Sequence, residues 1–83
     1  MNLCFLIGKI ISDIEFKFII NSKQHIAISI FTLKVSENCM LKVKAYNELA
    51  DMCYQKLVKG DVIGIQGKIN GCMEIIIENI ERS

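Results

Sequence analysis

Apolar and polar residues alternate along most of this chain with the two-residue period of β-strands. "CFLIGKII" (4–11) is apolar throughout except for Lys9, and Gly8 allows a bend or a close approach. "EFKFI" (15–19) sets Phe16 and Phe18 on one face and Glu15, Lys17 and Ile19 on the other. The polar run from Asn21 to Gln24 turns the chain. "HIAISIFTLKV" (25–35) carries two parities: Ile26, Ile28 and Ile30 share one, while Phe31, Leu33 and Val35 share the other. A straight strand cannot bury both sets, so the pattern predicts a bulge or strong coil near Ile30 and Phe31. After a turn over 36–39, "MLKVKAY" (40–46) directs Leu41, Val43 and Ala45 to one face. Met40, Lys42, Lys44 and Tyr46 take the other.

The period changes at Asn47. In "NELADMCYQKLVKG" (47–60), Asn47 is an N-cap candidate and Glu48 places an acid in the first turn. Leu49, Met52, Cys53 and Leu57 form one stripe, with Tyr54 off it; Lys59 lies in the last turn and Gly60 ends the helix. "DVIGIQGKI" (61–69) returns to strand. Asn70-Gly71 predicts a two-residue type I′ turn, and "CMEIIIENI" (72–80) pairs back along the preceding strand. Its middle, Ile75 to Ile77, is apolar on both faces. The order reduces to three strands, a helix and a two-stranded hairpin. It predicts an all-β fold, a five-stranded OB-fold barrel over residues 1–83, with one α-helix between strands 3 and 4 plugging one end.

Size sharpens this picture. Hydrophobic residues make up 52% of 83, yet a domain so small buries only about 60% of its unfolded surface. Some apolar surface is therefore expected outside the monomer core, and a homo-oligomer, dimer or tetramer, is the natural place for it. No apolar run approaches the ~20 residues of a membrane span. "MNLCFLIG" lacks a basic leader, so the expected location is cytoplasmic. Cys4, Cys39, Cys53 and Cys72 form no C-x-x-C pair and read as reduced, mostly buried side chains. His25, the single histidine, is remote in sequence from all four, which argues against zinc and for a strand-end residue. The chain offers no nucleophile–base pattern, phosphate-cradling glycine loop or paired acids. A non-enzymatic protein without cofactor or small-molecule substrate is expected. Net charge is +1, from ten basic and nine acidic residues, so any polyanion site must be a local stripe.

Several segments then resemble the bacterial single-stranded-DNA-binding protein family. "MNLCFLIGKI" is similar to that family's opening, and "DIEFKF" (13–18) to its Asp-Pro-Glu-apolar-basic-aromatic stretch, with Ile14 in place of the proline. "FTLKV" (31–35) fits its second strand, "LADMCYQKLVKGD" (49–61) its helix and Lys-Gly exit, and "IGIQGKI" (63–69) the strand that follows. The resemblance runs from Met1 to about Ile80. It implies non-sequence-specific binding of single-stranded DNA, with RNA left open, in replication, recombination or repair. Met40, Lys42 and Tyr46 stand where the family commonly has Trp, Arg and an aromatic, and Lys44 adds a charge beside them. Lys9, Lys17 and Lys68 would extend the groove, and Phe18 is a further stacking candidate. The chain has no tryptophan, its loop between the last two strands is cut to Asn70-Gly71, and the family's acidic tail has no counterpart before Ser83. It is thus similar to the short, tail-less branch represented by primosomal replication protein N. The alternative is an oligomeric OB-fold interaction module that has lost nucleic-acid binding; near-zero charge and the missing tryptophans favour that alternative.

Overall fold

The computed structural model describes residues 3–82; the Met1-Asn2 opening of the resemblance lies outside them. Seven elements follow one another. They are β1 (Leu3–Ile10), β2 (Glu15–Ile20), β3 (His25–Ser36), β4 (Cys39–Tyr46), α1 (Glu48–Lys56), β5 (Val62–Ile69) and β6 (Ile75–Arg82). The strand order β1-β5-β6-β4-β3-β2 closes on itself because β1 also pairs with β3, through Lys9–Lys34 and Ile10–Leu33. The ring is therefore β1, β5, β6, β4 and β3, the five-stranded OB-type barrel expected. β2 continues the sheet outside the ring on β3. Counted among barrel strands, the helix does fall between the third and the fourth.

Each barrel strand buries alternate side chains. Ile10, Phe31, Leu33, Val43, Ala45, Ile63, Ile65, Ile75 and Ile77 meet in one core, closed by Cys53 and Leu57 from the helix end of the barrel. Two glycines make the ring possible. A Cβ on Gly8 would lie 2.6 Å from the Lys34 carbonyl oxygen, and one on Gly67 would collide with the carbonyl of Ile76. Gly8 sits where β1 crosses onto β3, and Gly67 sits at the bulge between Gln66 and Gly67 on β5.

Four local expectations are corrected. β3 carries no phase change at Ile30 and Phe31: Ala27, Ser29, Phe31 and Leu33 are all buried, and the irregularity falls later, between Lys34 and Ser36. The inward residues under the helix are small because α1 packs close there. The fully buried Ser29 Oγ donates to the Ala50 carbonyl at 2.7 Å. Ile26, Ile28 and Ile30 point outward and are half-buried by their neighbours.

Asn47 does not cap α1 with its side chain. It takes a left-handed φ of 56°, which asparagine tolerates, and its N–H donates to the Ala27 carbonyl at 2.8 Å. The helix is also shorter than the pattern, ending at Lys56, with Gly60 in the turn beyond. Finally, β5 and β6 are joined by the five residues 70–74 rather than a two-residue turn. Met73, not Gly71, takes the positive φ, and the Asn70 carboxamide oxygen accepts N–H bonds from Cys72 and Glu74.

Candidate nucleic-acid interface

On β4, Leu41, Val43 and Ala45 turn inward, which leaves Met40, Lys42, Lys44 and Tyr46 on the outer face. Strand pairing extends each of these into a row across the barrel. Tyr46 stands beside Ile28, and Ile28 beside Lys17 on β2. Lys44 lies between Ile30 on β3 and Ile76 on β6, and Ile76 is followed by Lys68 on β5. Lys42 faces Thr32, and Met40 faces Lys34, which in turn faces Lys9 on β1. The register therefore points Met40, Lys42, Lys44, Tyr46, Lys9 and Lys17 outward on the neighbouring strands β1, β3, β4 and β2, with successive side chains along β4 about 7 Å apart. Lys68 also points outward, between Ile76 and Leu3 at the border of the β1 side.

Phe18 is not on that face. It shares a parity with Phe16, facing Ala27 and Ser29, on the side of β2 covered by the helix. There Phe16 stacks on Tyr54 at 4.8 Å, and Phe18, half exposed, meets the His25 ring edge-on at 6.2 Å. Tyr46 is thus the one aromatic ring among the candidate residues that stands with the lysines.

The charges on the face are largely answered by acids. Lys17 pairs with Glu15 (3.5 Å), Lys34 with Glu37 (3.5 Å), Lys68 with Glu78 (3.4 Å) and Lys44 with Glu74 (3.1 Å). Among the described residues Lys9 and Lys42 have no ion-pair partner. Exposed pairs of this kind are worth little and exchange readily with other anions. The Lys44–Glu74 pair differs, being partly sheltered and shared with Asn70, whose Nδ2 donates to the same carboxylate oxygen at 3.0 Å. Asn70 and Lys44 together hold the Glu74 carboxyl below its ordinary range, and the bond to Glu74 holds the Lys44 ammonium above its own.

Sequence reasoning did not include Lys34 or Glu74 in the site. In the sequence Lys34 belongs to a stretch of mixed parity that gives its side chain no face. Glu74 has the sequence pattern of a strand residue, whereas it lies in the loop that aims it at Lys44.

A second exposed surface lies elsewhere on the barrel. Phe5 and Ile7 are 72% and 73% exposed, and with Val62 they border a shallow apolar cleft of about 400 Å³ across β1 and β5. β1 pairs with β5 from Leu3 to Lys9, but with β3 only at Lys9 and Ile10. The four cysteines are free thiols. No helix among the described residues is long and apolar enough to cross a membrane.

Comparison with known proteins agrees with this architecture. The SSB domain of a protein from Synechococcus sp. superposes with a TM-score of 0.85 at 15% identity, covering 99% of this chain and 96% of that one. Wild-type single-stranded DNA binding protein from Thermus aquaticus gives 0.84 at 26% identity, covering all of this chain and 40% of that one. A deletion mutant of the same protein gives 0.83 at 26%, with 41% of its chain covered. The chain thus spans about two-fifths of the Thermus protein's length. No curated protein matches it. The sequence model of the single-strand binding protein family matches residues 1–75, and the chain belongs to that family.

Proposed function

We propose that the chain binds single-stranded DNA without sequence preference on the outer face of β3 and β4, in replication, recombination or repair. The observation that carries this reading is the outward-facing row Met40–Lys42–Lys44–Tyr46, set on the barrel of a chain that belongs to the single-strand binding protein family. The mechanism is passive. Lys42, Lys9 and the exchangeable Lys34 and Lys17 neutralise phosphates, while Tyr46 and Met40 take base faces. Stacking on an aromatic is sequence-tolerant because every base has a π-face, and it is worth about 1–3 kcal/mol per base. With one ring and two unpaired lysines, binding is expected to be weak.

The apolar β1 face supports a homo-oligomer. Leu3, Phe5 and Ile7 lie on a stretch of β1 whose second edge, from Leu3 to Ile7, pairs with no other strand among the described residues. An open edge with large apolar neighbours favours pairing with another copy. Reduced cysteines suit a cytoplasmic setting. Anisotropy of labelled oligo-dT tests the binding: saturable binding at low salt that weakens as salt rises is expected, and no binding at low salt by the folded protein overturns it. That second outcome would leave the β1 face as the functional surface, and the chain as an interaction module.

A further inference from the structure

The outer face contains its own anion. Glu74, the last residue of the loop between β5 and β6, reaches from the start of β6 to Lys44 on the neighbouring β4, 3.1 Å away, with 14% of its side chain exposed. The loop is built to hold it there. Asn70 Nδ2 donates to the same carboxylate oxygen, and Asn70 Oδ1 accepts the N–H groups of Cys72 and Glu74. The main chain closes the loop, with the Asn70 N–H donating to the Glu74 carbonyl at 2.9 Å and the Met73 N–H to the Asn70 carbonyl at 3.1 Å. The other paired lysines, Lys17, Lys34 and Lys68, lie 3.4–3.5 Å from their acids, and among the described residues no further side chain holds those acids.

We propose that Glu74 is an affinity-limiting residue: its loop-anchored carboxylate occupies Lys44 in place of a backbone phosphate, so Lys44 contributes no phosphate contact in the native protein. This rests on reading the β3–β4 face as a single-strand platform. A carboxylate fixed beside an ammonium cancels its attraction for a second anion and repels that anion directly. The platform then works at Lys42, Lys9 and the loosely paired lysines, and Lys44 is held in reserve. A protein of this kind releases its strand easily. Removing a single carboxylate should convert it to a tighter binder.

The test is a salt titration of labelled oligo-dT binding with the native chain, Glu74→Gln, Lys44→Gln, the double variant, and Glu48→Gln. The last removes one acid at the start of α1, off the platform. Melting curves establish that each is folded. If Glu74→Gln does not fold, Glu74→Ala carries the same expectation. Each phosphate contact on a single strand adds about 0.7 to the slope of log affinity against log salt. Glu74→Gln is expected to steepen the slope by about that amount and to tighten low-salt binding about fivefold. Lys44→Gln weakens binding and leaves the slope unchanged. The double variant returns close to native affinity and slope, and Glu48→Gln leaves both unchanged. Native binding with an unaltered slope in Glu74→Gln, or a tightening matched by Glu48→Gln, overturns the role of Glu74 alone. Absence of binding by both the native chain and Glu74→Gln overturns the platform reading and this inference with it.

Discussion

Adding one methyl group at Gly8 tests how the barrel closes and how its binding face is assembled. Among the described residues β1 pairs with β3 through Lys9–Lys34 and Ile10–Leu33, and Gly8 packs beside that seam. The alanine Cβ would stand 2.6 Å from the Lys34 carbonyl oxygen and 2.9 Å from Leu33 Cγ. A relaxed carbon–oxygen contact is about 3.3–3.6 Å, so the seam must open by about 0.7 Å or more. The obstacle is backbone, which cannot rotate away as a side-chain tip can. Overpacking of this kind costs about 1–3 kcal/mol. Replacing glycine within a strand returns about 0.5–1 kcal/mol of chain entropy. From the middle of each range the net loss is about 1.25 kcal/mol, and a domain this size loses about 4–8 °C of melting temperature per kcal/mol. Gly8→Ala should therefore melt about 5–10 °C below the native chain. Gly71→Ala is the control. Its Cβ meets nothing within 4 Å and its φ is not left-handed, so it should melt at or slightly above native. Circular dichroism melts at one fixed protein concentration read both variants. A Gly8→Ala protein melting with the native chain would refute the close seam, and with it the placing of Lys9 beside Lys34 and Met40.

Tyr46→Ala should weaken oligo-dT binding by about 1–3 kcal/mol without lowering the melting temperature by more than a few degrees, since the ring is partly exposed; equal affinities would remove Tyr46 from the site. Phe5→Glu combined with Ile7→Lys should leave a folded monomer by light scattering where the native chain is an oligomer. A monomeric native chain would contradict the role given to β1. In a short alkylation pulse read by mass spectrometry, exposed Cys72 should label. Cys53, whose thiol burial pushes up to about 11, should stay unmodified until the chain unfolds. Acid should also destabilise the native chain more than Glu74→Gln. The lowered Glu74 carboxyl contributes stability that is present above the ordinary carboxylate range and lost as pH falls through its folded-state value. Identical loss of melting temperature on acidification would count against that.

The barrel was legible because alternation is strict where one face is buried. β4 is the clearest case: Leu41, Val43 and Ala45 could only be core, and the face opposite them followed at once. β3 was misread for a reason of size. Its inward residues near the helix are Ala27 and Ser29, small because α1 presses on them, while its outward residues are three isoleucines. Hydrophobicity alone gave the larger side chains to the core. Ile28 and Ile30 stay half-covered because Tyr46, Lys44 and Lys17 lie beside them, the lysines able to shelter them with their apolar stems, and Ile26 lies beside Ile19. Phe18 was drawn toward the site by its ring, but the period of the strand places it across the sheet from Lys17. Glu74 was hidden by the strong hairpin signal of Asn70-Gly71. In the fold Asn70 spends its side chain on Cys72, Glu74 and the Glu74 carboxylate, which makes a five-residue loop of the expected turn.

The most direct test of the central claim is amide chemical-shift mapping with unlabelled oligo-dT. The account predicts that the largest changes fall on Thr32, Lys34, Met40, Lys42 and Tyr46, with Lys9 at the edge, and that Phe5, Ile7 and the Phe16–Tyr54 side change little. Changes centred on β1 and β5 instead, or none at strand concentrations well above those of the protein, would contradict it.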